Sequence, residues 1–204
     1  MSTAKSRRDQ FSEATKAALL EAATRRFATL GFAGTSLEDV AADIRATRGA
    51  VYHHFPSKRA LFEAVFEQLE TESAKLTRAA AARGEHPWER ALLALDVFLE
   101  RCADPVHSRV VWLEAPIALG WTQWDEREQE FAFALIRGHL EELMETGAVD
   151  RLPLDTTVRV AFHMLGAAGQ ALSRADEDDK VRLRDEYRTV IVRLLSGLVP
   201  RVEE

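Results

Sequence analysis

The sequence predicts an all-α protein. Its 204 residues include only ten glycines and six prolines, most of them at the boundaries of apolar segments. Within these segments apolar residues recur every three or four positions, which is the spacing of one helix face. Alternating β-branched runs, typical of strands, are absent. We therefore expect about nine helices, divided between a small head (residues 1–56) and a larger body (residues 57–204).

The first two helices are predicted from an apolar stripe and from capping residues. The stripe runs from Ala18 to Leu30 and ends at Gly31, since glycine is favoured directly after a helix. Thr35 and Glu38 have the spacing of a capping box. We therefore expect Thr35 to open the short second helix, SLEDVAADI.

A proline separates the third helix from the fourth. Thr47 is expected to cap the third helix, RGAVYHHF. Pro56 ends that helix, because the residue before a proline is disfavoured in the α region. Ser57 is then expected to cap a long fourth helix that reaches Arg83 and begins the body.

Five further helices are predicted in the body. Pro87 and Pro105 stand where proline is favoured, in the first turn of a helix. Pro116 is expected to kink or end the sixth helix, because it lacks the N–H that a helix interior needs. Gly147 and Gly197 mark the ends of the seventh and ninth helices.

The composition is typical of a cytoplasmic globular protein. Hydrophobic residues make up 47% and charged residues 29% of the chain. No apolar run approaches the ~18 residues of a membrane span, and no apolar stretch follows the charged N-terminus as in a signal peptide. The single cysteine, Cys102, excludes an intrachain disulfide and a cysteine-based zinc site.

Charge is distributed unevenly along the chain. The net charge is −6, yet residues 1–60 hold ten Lys and Arg against six Asp and Glu, a net charge of +4. Electrostatic attraction in salt acts over about 10 Å, so a local basic surface can bind phosphates on an acidic protein. The basic head therefore keeps nucleic acid among the candidate partners.

The second and third helices have the spacing of a helix-turn-helix, joined by RAT at residues 45–47. Val51 and Phe55 are four residues apart and are expected to face the head. The residues expected to face outward are Arg48, Gly49, Tyr52 and His53, with His54 near the margin of that face.

Residues 15–66 resemble the DNA-binding head of the tetracycline-repressor (TetR) family of transcriptional regulators. The resemblance rests on the Ala-Ala and Phe of the first helix, on GFAGTS, on the VA of the second helix, and on RGAVYHHF and SKRALF, in this order and without gaps. It implies a homodimeric, ligand-responsive regulator, most often a repressor, that binds a palindromic DNA operator.

One position departs from the family pattern. At the bend of the helix-turn-helix the family usually has a small residue, Gly and Val, whereas this chain has Ile44, Arg45 and Ala46. Glycine favours a positive φ, so Arg45 is expected to strain the bend by about 1 kcal/mol. It also adds a cation near the expected DNA surface.

The resemblance implies a set of DNA contacts. Arginine can bind guanine through its fork, and a helix N-terminus or a lysine suits a phosphate. For each residue a structural role as cap, packing group or solvated side chain remains open. The candidate contacts are Thr35, Arg45, Thr47, Arg48, Gly49, Tyr52, His53, His54 and Lys58.

Signatures of catalysis and metal binding are missing from the sequence. His53 and His54 point about 100° apart on a helix, and HLEEL at residues 139–143 lacks the HExxH spacing of zinc proteases. There is no GxSxG elbow, P-loop or dinucleotide fingerprint. We therefore expect no enzyme, no metal and no cofactor.

The body is expected to hold an effector, because bulky apolar groups and a few polar groups gather on its central helices. The same composition also suits a plain helical core, so both interpretations remain open. The candidate effector-binding residues are Phe98, Cys102, His107, Trp112, Trp121, Trp124, Phe131, His163 and Met164.

The last two helices resemble the dimer interface of the family. Small residues allow close approach of helices, and the final helix has an apolar face too wide for one contact within the chain. The candidate interface residues are Gly166, Gly169, Gln170, Tyr187, Ile191, Leu194, Leu195 and Leu198.

The predicted partners are thus a double-stranded DNA operator, a small and largely apolar effector, and a second copy of the chain, with no membrane. Two alternatives remain open. One is a DNA-binding activator or architectural protein without an effector, and the other is a helical enzyme that retains the head as a relic.

Overall fold

The structure is a computed structural model that describes residues 7–199, with side chains from residue 10. It confirms the all-α prediction, since the described residues contain helices and no strand. No helix among them combines the length and apolarity needed to cross a membrane. The elements are α1 Arg7–Leu30, α2 Leu37–Asp43, α3 Arg48–His54, α4 Lys58–Ala81, α5 Pro87–Ala103, α6 Pro105–His107, a π-helical segment Ser108–Glu114, α7 Ala115–Leu119, α8 Trp121–Glu145, α9 Leu154–Arg174 and α10 Glu177–Ser196.

The core of the head is aromatic and joins α1 to the start of α4. The ring of Phe62 lies 5.0 Å from Phe27 and 5.4 Å from Phe32, edge to face in both cases. Full burial of such a side chain contributes about 1.5–3 kcal/mol. Val51 of α3 and Phe55, directly after α3, are buried in the same core, as predicted. Leu30 is 54% exposed, so the apolar stripe of α1 ends before it.

The cap of α2 differs from the prediction. Ser36 is the capping residue, and its Oγ accepts a hydrogen bond from the Asp39 N–H at 3.1 Å. Thr35 lies one position before the cap, is 2% exposed, and donates its hydroxyl to the Gly31 carbonyl at 2.9 Å. The prediction that Thr35 opens α2 is therefore wrong, because Ser36 and Asp39 have the same capping-box spacing as Thr35 and Glu38.

The caps of α3 and α4 are confirmed. Thr47 Oγ1 accepts a hydrogen bond from the Ala50 N–H at 3.2 Å, and Ser57 Oγ accepts one from the Ala60 N–H at 3.1 Å. Between the two helices, Phe55 adopts an extended conformation before Pro56. This break lets α4 leave the head in a new direction while it remains directly behind α3.

The predicted sixth helix is continuous over residues 105–119 but changes its winding. Between α6 and α7 lies the π-helical segment, whose last turn includes a bond from the Ala115 N–H to the Val110 carbonyl, five residues back. The wide turn comes directly before Pro116, whose ring would clash with a carbonyl in a regular helix interior. Pro116 therefore shifts the winding instead of ending the helix.

A buried glutamate joins the head to the body. Glu114, the last residue of the π-helical segment, is 6% exposed. Its Oε2 accepts a hydrogen bond from the Phe32 N–H at 2.7 Å, and its Oε1 lies 2.7 Å from Nη2 of Arg109. The body thereby satisfies a backbone donor in the turn that follows α1, which fixes the head against the π-helical segment.

A second link connects α4 with α7 and α8. Arg59, near the start of α4, donates from Nη2 to the Leu119 carbonyl at 3.2 Å and also to Oε1 of Gln123. Gln123 in turn donates to Oε1 of Glu63 at 3.4 Å. These polar contacts fix the start of α4, directly behind the head, against α7 and α8 of the body.

The bend before α3 is strained, as the departure at Arg45 predicts. Among the described residues Arg45 is the only non-glycine residue with a positive φ, at 56°. We expect Arg45→Gly to raise the free energy of unfolding by about 0.5–1 kcal/mol, measured by urea denaturation, because relief of the Cβ strain outweighs the added chain entropy. The control Arg45→Ala keeps the Cβ and should give no such gain. Equal stability of the two variants would contradict a strained bend.

Substitutions of two glycines with similar backbone conformations distinguish the stability effect of the Glu114 contact from that of backbone strain. Gly31 has a φ of 73°, and a Cβ there would lie 2.8 Å from Glu114 Oε1, whereas Gly147 has a φ of 71° and nothing within 4 Å. Gly147→Ala should lower the free energy of unfolding by about 1 kcal/mol through strain alone. Gly31→Ala should cost at least about 1.5 kcal/mol more, because it also displaces a charged hydrogen-bond acceptor. Equal losses in urea denaturation would show that the Glu114 contact does not stabilise the fold.

Candidate nucleic-acid interface and internal cavity

The outer face of α3 brings together the residues that the sequence places there. The side chain of Arg48 is 73% exposed, Tyr52 is 40% exposed, and Gly49 and His53 are also exposed. A Cβ on Gly49 would meet only Thr47 Oγ1, at 4.0 Å, so open space lies above the backbone at this point. The face thus offers a guanidinium, a phenol, an imidazole and an accessible helix backbone.

Glu38 of α2 organises this face, which the sequence analysis did not foresee. Its Oε1 accepts a hydrogen bond from Tyr52 Oη at 3.1 Å and lies 3.2 Å from Arg48 Nε. The Arg48 guanidinium also lies 5.3 Å from the centre of the Tyr52 ring. Because these groups are exposed, the ion pair stabilises the face by only about 0.2–1 kcal/mol.

The two adjacent histidines have different environments. His53 is exposed, whereas His54 is half-buried, with its ring centre 5.2 Å from that of His53. Burial lowers the pKa of His54 below its ordinary value, and the nearby His53 and Lys16 lower it further. His54 is therefore neutral at pH 7 and offers a hydrogen bond to its surroundings instead of a positive charge.

The remaining candidate contacts are divided between surface and interior. Arg45 is exposed at the bend before α3, and Thr47 uses its hydroxyl as the cap of α3. Lys58 donates from Nζ to the Phe32 carbonyl at 2.8 Å and lies 4.4 Å from the centre of the Phe32 ring. The buried Thr35 side chain is withdrawn from the surface, which corrects its assignment as a phosphate contact.

The body encloses a cavity of about 160 Å³ between α4, α5, α8, α9 and α10. Four of the nine candidate effector residues line it: Phe98, Trp112, Phe131 and Met164. Its wall is mostly apolar, as expected for a site that binds a small organic molecule. A cavity of this size accommodates a molecule comparable to benzene, for which about 150 Å³ suffices.

The other five candidates lie outside the cavity wall. Cys102, His107 and Trp124 are buried elsewhere in the core, while Trp121 is 57% exposed and His163 is also exposed. Periodicity places a residue on a helix face but does not tell which neighbour covers that face. These five candidates therefore do not line this cavity.

Polar residues of the cavity wall escaped the sequence analysis. Glu70, Ser73 and Thr77 follow one another at helical spacing on the inner face of α4, and Glu128 and His139 come from α8. The sequence does indicate the α4 residues, because Glu70, Ser73 and Thr77 are three and four positions apart and therefore share one helix face.

The buried acids of the cavity are in an unusual electrostatic environment. Glu70 is 8% and Glu128 is 7% exposed, and Glu70 Oε1 lies 3.0 Å from His107 Nε2. Burial raises the pKa of Glu128 well above its ordinary value, and the charges of Glu70 and Asp125 raise it further. Burial also lowers the pKa of His139.

Most candidate interface residues are already used within the chain. Gly169 is buried with no room for a Cβ beside Trp112, and Ile191 is 1% exposed and lines the cavity. Their assignment to a dimer interface is therefore corrected. The other candidates are half-buried or exposed. Gly166 and Leu195 line the cavity, Tyr187 and Leu195 pack on the core, and Leu198 packs against the cluster of Leu143, Met144 and Val149. Gln170 is half-buried, and Leu194 is 57% exposed.

Exposed apolar residues nevertheless remain on the last two helices. Leu194 and Val190, one turn apart on α10, are 57% and 56% exposed, and Val160 of α9 is 63% exposed. A cluster of large exposed apolar side chains is typical of a surface that another molecule covers.

Two family models match the chain. The model of bacterial regulatory proteins of the tetR family matches residues 19–65, and the model of the tetracyclin repressor-like C-terminal domain matches residues 88–198. The first covers the helix-turn-helix, and the second covers α5 to α10 nearly throughout.

Curated relatives match about a third of the chain. The HTH-type transcriptional regulator TtgR of Pseudomonas putida is 39% identical over 71 residues, which is 35% of this chain and 34% of that protein. The HTH-type transcriptional repressor Rv3405c of Mycobacterium tuberculosis is 46% identical over 66 residues, or 32% of this chain and 34% of that protein. The match thus spans about a third of the length of these relatives.

Solved structures match along almost the whole chain. A TetR-family transcriptional regulator from Pectobacterium atrosepticum has a TM-score of 0.81 and 26% identity, covering 95% of this chain and 98% of that one. The fatty acid degradation regulator FadR from Bacillus halodurans shares the fold, with a TM-score of 0.74 and 19% identity over 92% of this chain and 97% of its own. Since the C-terminal model alone spans more than half of the sequence and the N-terminal model matches the head, the chain belongs to the tetR family of bacterial transcriptional regulators and not to a family of enzymes.

Proposed function

We propose that the protein is a homodimeric DNA-binding repressor that a small molecule in the internal cavity releases from its operator. The observation that carries this proposal is the π-helical segment, which holds Trp112 in the cavity wall and Glu114 against the head. A ligand that displaces this segment acts on both places at once. Such a shared element is what coupling between two sites requires.

DNA binding is supported by the composition of the outer face of α3. Arg48 can place its fork on the O6 and N7 atoms of guanine, and Tyr52 and His53 can bind phosphate or base edges. DNA must replace Glu38 as the partner of Arg48 and Tyr52, which is inexpensive at this exposed site. In a dimer, two such helices would enter successive major grooves about 34 Å apart.

Repression and dimerisation are supported by the relatives and by the apolar surface. The curated relative from Mycobacterium tuberculosis is named as a repressor. Val160, Val190 and Leu194 supply an exposed apolar surface on α9 and α10 that a second copy would cover about a two-fold axis.

Release by a ligand has a second route, through α4. This helix begins at Lys58, directly behind α3, and carries Glu70, Ser73 and Thr77 into the cavity wall. A ligand that tilts α4 or shifts the π-helical segment changes the separation of the two heads. A coupling free energy of about 1–3 kcal/mol then lowers operator affinity by about 5–150-fold.

The DNA-binding face is tested on DNA from upstream of the protein's own gene. Arg48→Ala combined with Tyr52→Ala should weaken binding at least tenfold and reduce its salt dependence, because a cation is lost from the DNA-facing surface, measured by fluorescence anisotropy. The control Arg151→Ala removes the same charge from an exposed position between α8 and α9 and should leave binding unchanged. Unchanged affinity and salt dependence in the double variant would refute the assignment of α3 as the recognition helix.

The dimer surface is tested by a charge placed in its centre. Leu194→Glu should shift the protein from dimer to monomer in sedimentation velocity, because two carboxylates would face each other across the two-fold axis. The matched control is Ile117→Glu, which alters a 71% exposed apolar residue on α7. A Leu194→Glu protein that stays dimeric would place the interface elsewhere.

A further inference from the structure

The cavity is an apolar site with an acidic end. The acidic residues that line the cavity are Glu70 and Glu128, and both are more than nine-tenths buried. No lysine or arginine is among the described residues that line it. A ligand inside the cavity therefore meets acidic groups at one place and hydrocarbon elsewhere.

The two acids differ in their hydrogen bonds. Oε1 of Glu70 has a partner, His107 Nε2, at 3.0 Å. Oε1 of Glu128 is buried and has no hydrogen-bond partner among the residues that the structure describes. Such an atom is unfavourable in a folded protein unless a ligand or water satisfies it.

We propose that the effector is a small apolar amine whose positively charged nitrogen binds between Glu128 and Glu70 while its hydrocarbon part lies against Trp112, Phe98 and Phe131. An ammonium group supplies N–H donors to the unpartnered Oε1 of Glu128. Its positive charge also compensates a buried carboxylate, so one group satisfies the hydrogen-bonding and the electrostatic requirement of the site. The aromatic rings of the wall offer further attraction to a cation and to an apolar body. This inference names the ligand class of the cavity and rests on the proposed function.

Binding of a cation is linked to loss of a proton from the cavity. In the empty cavity, burial together with Glu70 and Asp125 raises the pKa of Glu128, which favours its neutral form. A bound ammonium favours the ionised form and therefore promotes loss of the proton from Glu128, so amine affinity rises as pH increases until the amine itself loses its charge. The titratable groups that interact with Glu128 are Glu70 on α4, Cys102 on α5 and Asp125 on α8. His107 on α6 contacts Glu70, His139 lines the cavity further along α8, and α9 and α10 line it with apolar residues and a glycine.

Three molecules of one shape and different charge test the proposal by calorimetry on the full-length protein. The size of the cavity suits a single ring, so the probes are benzylamine, benzyl alcohol and benzoate. We expect benzylamine to bind at least tenfold more tightly than benzyl alcohol, and benzoate not to bind. The heat of benzylamine binding should vary with the ionisation enthalpy of the buffer, because binding promotes release of a proton from Glu128.

Variants of the acids identify the group responsible. Glu128→Gln keeps the shape of the side chain and should abolish both the preference for benzylamine and the proton release, and Glu70→Gln should weaken the preference. Glu126→Gln, at an exposed position of the same helix, should change neither. A preference for benzyl alcohol or benzoate, no binding of benzylamine at millimolar concentration, or an unchanged preference in Glu128→Gln would overturn the proposal.

A parallel measurement separates this inference from the function it rests on. Without ligand, wild type and Glu128→Gln should bind operator DNA equally, because the substitution lies in the body. Absence of benzylamine selectivity in the wild type, with intact DNA binding, overturns only the ligand class. Failure of the wild type to bind DNA, or selective benzylamine binding that leaves DNA affinity unchanged, contradicts the proposed function.

Discussion

The carboxylate of Glu114 is the contact on which the arrangement of head and body depends. It reaches from the π-helical segment to the Phe32 N–H at 2.7 Å, at the point where Gly31 turns the chain out of α1. This buried acceptor meets a backbone donor that α2 does not use, so each group compensates the burial of the other. The head is therefore held on the body at a turn next to its aromatic core.

The cavity stands at the other end of the same structural element. Trp112 and Glu114 belong to one π-helical segment, whose winding is already irregular before Pro116. Regular α-helices resist such changes, whereas π turns are tolerated mainly where function requires them. Buried acids in an otherwise apolar cavity are a second departure from the rules of stable packing, and natural proteins place such departures at functional sites.

Sequence reasoning succeeded where local chemistry decides and failed where neighbours decide. Val51 and Phe55 face the core because their spacing matches the helix period, and Arg45 is strained because its side chain carries a Cβ. The prediction that Thr35 opens α2 was wrong because two overlapping capping boxes compete, and the choice between them depends on the packing of the turn after α1. The prediction that Gly169 lies in the dimer interface was wrong because a small residue permits close approach by any neighbour, here Trp112 of the same chain.

By itself, the sequence determined the helices, their caps at α3 and α4, and the outward face of α3, because these follow from contacts within a few residues. Tertiary structure alone decided which side chains line the cavity, that Glu38 holds Arg48 and Tyr52, and that Glu114 reaches the head from 82 residues away in the chain. The physical reason is that burial and charge pairing depend on which helices meet. A periodic pattern states that a helix has an inner face, but only the packed structure determines what that face touches.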